Sequence, residues 1–354
     1  MIPSPSQMWF EALSSPERVR QQLAQDEPLY AAIAESLRRE PPTALLTLAR
    51  RSADHAAHYL SYLVLARLGR LVNALPISLM TLYQSRIEAR GLLTFTYPPS
   101  AGDPDLNEPT RTFGRRGARS LTFVQELALA RAQSAGLSPD TAFAEPQWVV
   151  PLHAGPERSL ATTKGHIAQL VAGARLVATW QDAPDLKAAL ADLPDVLARA
   201  VKLDWSDALA PLVDARRIVV IGGGTGLPLA REAALKFQET CGIQAEAVSG
   251  TQVRHGPPTP IEPDQPFLVF APRGPAQAGL LALAAELRER GARVLLAAPP
   301  GTAGVLLPLA STGHEDLDPI AAVQSFYPMV EALSFMRGCN PDRPLLPRRV
   351  QFSD

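Results

Sequence analysis

The chain has 354 residues, of which 46% are hydrophobic and 19% are charged, a composition typical of a globular protein with a large core. This length is more than one ordinary core supports, so we expect two domains. The 34 Lys and Arg residues nearly balance the 35 Asp and Glu residues. That balance argues against nucleic acid as the main partner, because phosphate backbones are bound by an excess of cations.

No apolar run is long enough to span a membrane, and the first residues lack the basic and apolar regions of a signal peptide. We therefore expect a soluble protein without membrane contacts. The two cysteines, Cys241 and Cys339, fit a reducing compartment better than a disulfide-bonded one. A cytoplasmic location follows as an expectation.

Apolar residues recur at helical spacing through residues 1–40, and Pro41 and Pro42 end this helical segment. Short apolar runs then alternate with helical runs up to about residue 180, and the alternation restarts after about residue 205. The predicted strands are 44–49, 92–96, 120–124, 148–152, 217–221, 267–271 and 294–298, and the predicted helices are 55–68, 161–180, 228–241, 277–289 and 320–338.

Buried strands separated by helices predict parallel sheets covered on both faces. The repeated pattern predicts an α/β fold of two doubly wound, flavodoxin-like three-layer domains in tandem. The predicted divisions are an N-terminal helical segment at 1–40, a first domain at 41–180, a connector at 181–205, a second domain at 206–340 and a tail at 341–354. Ligands of such sheets bind at the carboxyl ends of the strands.

The glycine run at 222–226 follows a predicted strand and opens a helix. A dinucleotide fingerprint needs another glycine where Leu227 stands, so we predict no nicotinamide cofactor. A tight turn at a helix N-terminus, able to receive an anion or sugar hydroxyls, is the simpler interpretation.

The helix after this turn carries Glu232, Lys236 and Glu239 at i, i+4 and i+7, which places them on one face. For an arbitrary helix, such a pattern is an ordinary solvated face with a Glu–Lys pair. The segment that follows, with Ala245-Glu-Ala and Arg254-His-Gly-Pro257, favours a functional interpretation.

These motifs resemble the second sugar-isomerase (SIS) domain in the isomerase part of glucosamine-6-phosphate synthase. They are more similar still to tagatose-6-phosphate isomerase-like and glucosamine-6-phosphate deaminase-like proteins that lack a glutaminase domain. Further segments resemble the same family, at 8–19, 49–69, 151–157, 161–164 and 324–327. The resemblance spans most of the chain, and amination driven by glutamine is not expected of it.

The resemblance implies that Glu239 is the carboxylate base that moves a proton between C1 and C2 of an open-chain sugar. It implies that His255 opens the sugar ring, reaching the site of a neighbouring subunit in a homodimer. Lys236 matches a lysine near the substrate hydroxyls, and Leu160 and Thr162 match positions that line the sugar pocket. A carboxylate and an imidazole can both be tuned to exchange protons near neutral pH.

The phosphate-binding loop departs from the family, which has Ser-Gln-Ser-Gly-x-Ser/Thr. The corresponding residues 98–105 contain prolines that remove backbone donors, and Asp103 places a negative charge against a phosphate. Of the phosphate-binding hydroxyls only Ser100 survives. We therefore expect the usual grip on phosphate to be lost.

Two further departures concern arginines. Where the family has Gly-Ser-Ser or Gly-Thr-Ser, this chain has Arg51-Ser52-Ala53, and Arg51 would either fill the pocket or supply a new fork for a carboxylate or phosphate. Near the C-terminus the family has a lysine, whereas this chain has Arg349, or Arg348 with a one-residue shift. A guanidinium cannot form an imine, so chemistry that needs one is not expected.

Two histidines, His55 and His58, lie one helical turn apart beside Asp54. They could form a metal pair, but the Asp-His-Ala run is ordinary packing in the family, and we predict no metal site. The leading hypothesis is an isomerase- or deaminase-like enzyme that binds a sugar or sugar-phosphate ligand and needs no cofactor. The alternative is a sugar-derivative-binding protein without catalysis.

Overall fold

The computed structural model describes residues 5–98, 104–134, 136, 138, 142–143, 146–255 and 265–343. Its first half contains helices α1 (Gln7–Leu23), α2 (Glu27–Arg39), α3 (Ser52–Leu68), α4 (Ser78–Thr81), α5 (Pro104–Arg115), α6 (Glu126–Ser134) and α7 (Lys164–Gln181), and strands β1 (Ala44–Leu48), β2 (Val72–Ala74), β3 (Leu92–Thr96), β4 (Arg119–Val124) and β5 (Trp148–Pro151).

The second half contains helices α8 (Pro184–Ala200), α9 (Leu209–Leu212), α10 (Leu227–Cys241), α11 (Gly250–His255), α12 (Gln277–Glu289) and α13 (Asp318–Met336), and strands β6 (Arg217–Gly222), β7 (Gln244–Ser249), β8 (Pro266–Phe270), β9 (Arg293–Ala298) and β10 (Leu307–Pro308). Helix α8 occupies most of the predicted connector.

The strands form two parallel five-stranded sheets, in the orders β2-β1-β3-β4-β5 and β10-β9-β8-β6-β7. Counted from the first strand of each sheet, both orders are 2-1-3-4-5, the flavodoxin-like order. The predicted fold class is therefore confirmed, and each sheet lies within one of the predicted domains.

The three strands that the sequence pattern did not predict, β2, β7 and β10, all lie at sheet edges. An edge strand is less enclosed than a central one and need not be a continuous apolar run. The six residues of β7, for example, include Gln244 and Glu246 on exposed positions. The helical segment at 1–40 is interrupted at Asp26, whose left-handed backbone (φ 58°) separates α1 from α2.

The N-terminal helices are part of the core and contact both halves. Gln22 of α1 donates to the backbone carbonyl of Ala168 in α7 (2.9 Å). Gln324 of α13, in the second half, donates to the carbonyl of Ala12 in α1 (2.7 Å). Helix α7 is buried from Lys164 to Trp180, and it packs on α1, α2 and α3.

Helix α3 of the first half also packs directly on α10 of the second half. Both helices begin at the carboxyl end of the first strand of their sheet, since α3 follows β1 and α10 follows β6. The two helices pack antiparallel, because Arg51 at the start of α3 contacts Glu239 near the end of α10, whereas His58 contacts Arg231 near the start of α10. The carboxyl end of the first sheet, where ligands bind in such folds, therefore faces the C-terminal part of α10.

Among the described residues, no helix has the length and apolar character needed to cross a membrane.

The turn between β6 and α10 depends on a close backbone approach at Gly222. A Cβ atom there would lie 2.4 Å from the carbonyl oxygen of Gly226, whereas a Cβ at Gly279 in α12 would meet nothing within 4 Å. We expect Gly222→Ala to destabilise the protein by about 1–3 kcal/mol, in the range of overpacking. We expect Gly279→Ala to be neutral or to stabilise by up to about 1 kcal/mol, because alanine is the better helix former. Urea unfolding of both variants checks this pair, and equal effects would contradict the assigned geometry.

Candidate functional site

One face of α10 carries three charged side chains and is buried, although its sequence pattern is also that of an ordinary solvated helix face. Glu232, Lys236 and Glu239 are 0%, 1% and 2% exposed. They point at the N-terminal turn of α3, so the site is built from both halves of the chain. We call these three residues the ion cluster.

Lys236 lies at the centre of the ion cluster. Its Nζ is 3.3 Å from Oε1 of Glu232 and 3.0 Å from Oε2 of Glu239, and it donates to Oγ of Ser52 at 3.3 Å. One buried ammonium thus lies between two carboxylates, which on their own would repel each other.

Glu232 is held by the first half of the chain as well. Ser52 donates through Oγ to Glu232 Oε1 at 3.1 Å, and Nδ1 of His55 lies 2.8 Å from Glu232 Oε2. Both carboxylate oxygens therefore have partners, as a fully buried carboxylate requires.

The titration behaviour of the ion cluster follows from burial and pairing. Burial alone would raise the pKa of Glu232, but Lys236, His166 and His55 outweigh it and hold that pKa well below its usual range. Burial alone would lower the pKa of Lys236, but the two carboxylates keep it above its usual value. At neutral pH the cluster therefore contains an ammonium and an ionised Glu232.

Arg51 completes the charge balance. Its Nη2 donates to Oε1 of Glu239, so Glu239 has a cation on each oxygen. The Arg51 side chain is 61% exposed and lies over a carboxylate that is 2% exposed.

The other predicted site residues are placed as follows. Ser52 hydrogen-bonds to the ion cluster, Leu160 is 71% exposed, and Thr162 is partly buried. His255 is exposed at the last position of α11. Ser100, Asp103 and Arg349 lie outside the described residues.

Three residues at the site escaped the sequence reasoning, and two of them are histidines. His55, treated there as packing, contacts Glu232 directly. His166 in α7 is 1% exposed, and burial lowers its pKa to about 4, so it is neutral. Only the three-dimensional packing of α7 against α3 brings His166 to this site.

The third is Glu157, in the loop between β5 and α7. Its Oε1 accepts hydrogen bonds from the backbone amides of Thr163 (2.7 Å) and Gly165 (3.2 Å). A Cβ at position 165 would lie 2.5 Å from Oε2 of Glu157, so glycine there makes room for the carboxylate. Burial raises the pKa of Glu157 from 4.5 to about 7, although the Thr163 amide acts in the opposite direction.

Tyr327 of α13 lies within electrostatic reach of these carboxylates. Its hydroxyl is buried and has no hydrogen-bond partner among the described residues. Burial raises the pKa of Tyr327 well above its usual value, and Glu232, Glu157 and Glu239 raise it further. The tyrosine is therefore neutral.

The described residues contain no group of three or more His, Cys, Asp and Glu side chains arranged to hold a metal ion. His58, the second histidine of the pair in α3, contacts Nη1 of Arg231 at 2.8 Å. Burial, with Arg231 nearby, lowers the pKa of His58 to about 4.

The ion cluster makes a prediction about stability. Lys236→Met would leave two buried carboxylates without their shared cation, which costs about 3–5 kcal/mol for a broken buried pair. The loss should be larger at pH 7 than near pH 4.5, because protonation of the freed carboxylates removes the unpaired charge. Urea unfolding at both pH values measures the difference, with Lys202→Met as the exposed control. Similar losses for the two variants would contradict a buried cluster.

Glu157 makes a second prediction. Because its pKa in the folded state is raised, its contribution to stability is complete below about pH 4.5 and is lost as the pH rises through about 7. Glu157→Gln retains an oxygen acceptor for the two amides and removes this titration. We expect the free energy of unfolding of this variant, measured with urea, to increase relative to that of the native protein between pH 5 and pH 8. The exposed Glu289→Gln should show no such trend, and a parallel trend in both would refute the assignment.

Comparison with known proteins agrees with this architecture. The SIS domain family model matches residues 211–298. The glutamine–fructose-6-phosphate aminotransferase (isomerizing) of Chlorobaculum tepidum is 32% identical over 213 residues, which cover 54% of this chain and 34% of that protein. The corresponding protein of Thermus thermophilus is 29% identical over 264 residues, or 71% of this chain and 41% of its own length. The chain thus spans well under half the length of these two relatives.

Solved structures match over nearly the whole chain. A candidate phosphosugar isomerase from Silicibacter pomeroyi DSS-3 is 33% identical, with a TM-score of 0.85 over 95% of this chain and 100% of its own. The tagatose-6-phosphate ketose/aldose isomerase of Escherichia coli has a TM-score of 0.73 at 22% identity, covering 99% of this chain and 100% of its own, and supports the fold alone. The family model matches the second half of the chain, and the Silicibacter pomeroyi protein matches it at 33% identity over the whole of that protein's length, so the chain belongs to the SIS domain family.

Proposed function

We propose that this protein is an isomerase- or deaminase-like enzyme that acts on a sugar or amino-sugar derivative, with Glu239 as the base. The observation that carries this proposal is the ion cluster. A carboxylate is held in a fixed position by a buried ammonium, beside the N-terminal turn of α3 at the carboxyl end of β1, where ligands bind in this type of fold.

The proposed chemistry is a proton transfer between neighbouring carbons. Glu239 removes the proton from C2 of an open-chain aldose, the electron pair forms the C1–C2 double bond of an enediol, and O1 takes up a proton. Return of a proton to C1 with loss of the O2 proton gives the ketose. Lys236 fixes one oxygen of Glu239 at 3.0 Å, so it positions the base.

The dimer belongs to the same proposal. Ring opening is assigned to His255, which is exposed at the end of α11 and can extend toward a neighbouring molecule. An imidazole can give a proton to the ring oxygen and take one from the hydroxyl at C1. In the proposed homodimer with a shared site, this group would lie opposite Glu239 of the neighbouring molecule.

A second candidate is a sugar-derivative-binding protein without catalysis. The observation that favours it is the cation on each oxygen of Glu239, because the Arg51 guanidinium covers the carboxylate. The two candidates differ in whether a carbon-bound hydrogen of the ligand exchanges with solvent.

Exchange with solvent provides the test. Incubation in deuterated water with fructose 6-phosphate, glucosamine 6-phosphate, their unphosphorylated forms and sugar acids should label C1 or C2 of at least one compound, seen by NMR. We expect Glu239→Gln to reduce this exchange at least 100-fold, within the range of a general base. The exposed Glu246→Gln should retain the native rate.

Exchange that persists in Glu239→Gln would refute the assignment of the base. Binding of a sugar without any exchange, in the native protein, would favour the non-catalytic candidate. A thermal-shift assay with the same compounds detects such binding, since a ligand that binds the folded state stabilises it.

A further inference from the structure

Arg51 has a backbone conformation that side-chain-bearing residues rarely adopt. Its φ is 56° and its ψ is −133°, at the position immediately before α3 begins. Such a conformation is costly for a residue other than glycine, because its Cβ atom crowds the backbone. The family has glycine in this loop, so this chain carries a strained arginine where an unstrained residue would fit. Strain of this kind is retained mainly where the residue has a function.

The guanidinium of Arg51 is only partly used by the protein. Its one side-chain hydrogen bond to a described residue is the bond from Nη2 to Glu239. The side chain is 61% exposed, and a guanidinium has N–H donors beyond the one that bonds to Glu239. The guanidinium therefore has one side on the buried carboxylate and another toward the space from which a ligand would arrive.

The neighbouring arginine does not share this position. Arg50 donates from Nη2 to Asp105 in α5, and its side chain is 39% exposed. Two consecutive arginines thus have different partners, and only Arg51 contacts the ion cluster. This difference provides a matched control.

Arg51 also controls access to Glu239. The Glu239 side chain is 2% exposed, with Lys236 on one oxygen and Arg51 on the other. Lys236 is itself buried and shared with Glu232, so it is fixed. A ligand atom that approaches Glu239 from solvent must therefore displace or share the guanidinium of Arg51.

We infer that Arg51 is the anion-recognising residue of this site, and that a carboxylate or phosphate group of the ligand takes its guanidinium from Glu239 and so uncovers the base. A guanidinium binds both anions through paired N–H donors. The uncovering of a base rests on the proposed function, whereas the competition between Glu239 and an external anion does not.

The competition predicts opposite effects for two variants. Removal of Arg51 should weaken anion binding, because the donor is lost. Glu239→Gln should strengthen it, because the internal carboxylate no longer competes for the guanidinium. A residue with a merely structural role would not give these opposite changes.

Isothermal titration calorimetry with open-chain probes tests this prediction. D-Gluconate carries a carboxylate, D-glucitol 6-phosphate carries a phosphate, and D-glucitol is the neutral control. We expect the native protein to bind at least one anionic probe 10-fold or more tighter than glucitol, and the preferred probe identifies the anion. Arg51→Ala and Arg51→Gly should lose that preference, Arg50→Ala should keep it within twofold, and Glu239→Gln should increase it at least threefold.

Arg51→Gly guards against a folding artefact, since glycine adopts this backbone conformation without strain. Circular dichroism and thermal unfolding establish that each variant is folded. A native protein that does not prefer either anion, an unchanged preference in Arg51→Gly, or an unchanged or weakened one in Glu239→Gln would overturn the inference. The proposed function has a separate outcome. If the protein prefers an anion but no carbon-bound hydrogen exchanges, the proposed function is wrong and this inference still holds.

Discussion

The buried ion cluster determines how the two halves of this molecule meet. Removing three charged side chains from water is costly, and the cost is recovered only with close pairing and complete hydrogen bonding. Glu232, Lys236 and Glu239 come from one helix of the second half, but Ser52 and His55 of the first half complete their bonds. A displacement of α3 against α10 would leave buried polar groups without partners. Docking of the two halves and assembly of the site are therefore the same event.

The sequence predicted those parts of the fold that local patterns determine. Central strands are continuous apolar runs, and the spacing of Glu232, Lys236 and Glu239 placed them on one face of a helix. The pattern could not indicate that this face is buried, because a solvated Glu–Lys pair has the same spacing. Burial depends on what packs against the helix, which only the tertiary structure reveals. The same reason explains why His166 and Glu157 were missed, since both reach the site through contacts between distant segments.

Resemblance to a family identified the positions that differ, but it did not predict what the differences do. At Arg51 a glycine-like backbone is preserved while the side chain is new, so the loop keeps its path and gains a cation. That cation is already paired with Glu239 within the protein, so a ligand would compete with Glu239 for it. A comparison of residue types suggests a gain in positive charge at the site. The structure instead has two carboxylates balanced by Lys236 and Arg51.

This balance changes how an anionic ligand would be recognised. A loop of hydroxyls and amides binds phosphate without giving up another partner, whereas Arg51 must exchange one carboxylate for another anion. The net affinity is then a difference between two interactions, and is smaller than the new contact alone would provide. By reciprocity, the pair between Arg51 and Glu239 weakens ligand binding by the same free energy by which the bound ligand weakens the pair. A ligand that binds the guanidinium therefore makes Glu239 more available. Recognition of the anion and activation of the base would thus be coupled, so a neutral sugar could occupy the site without activating it.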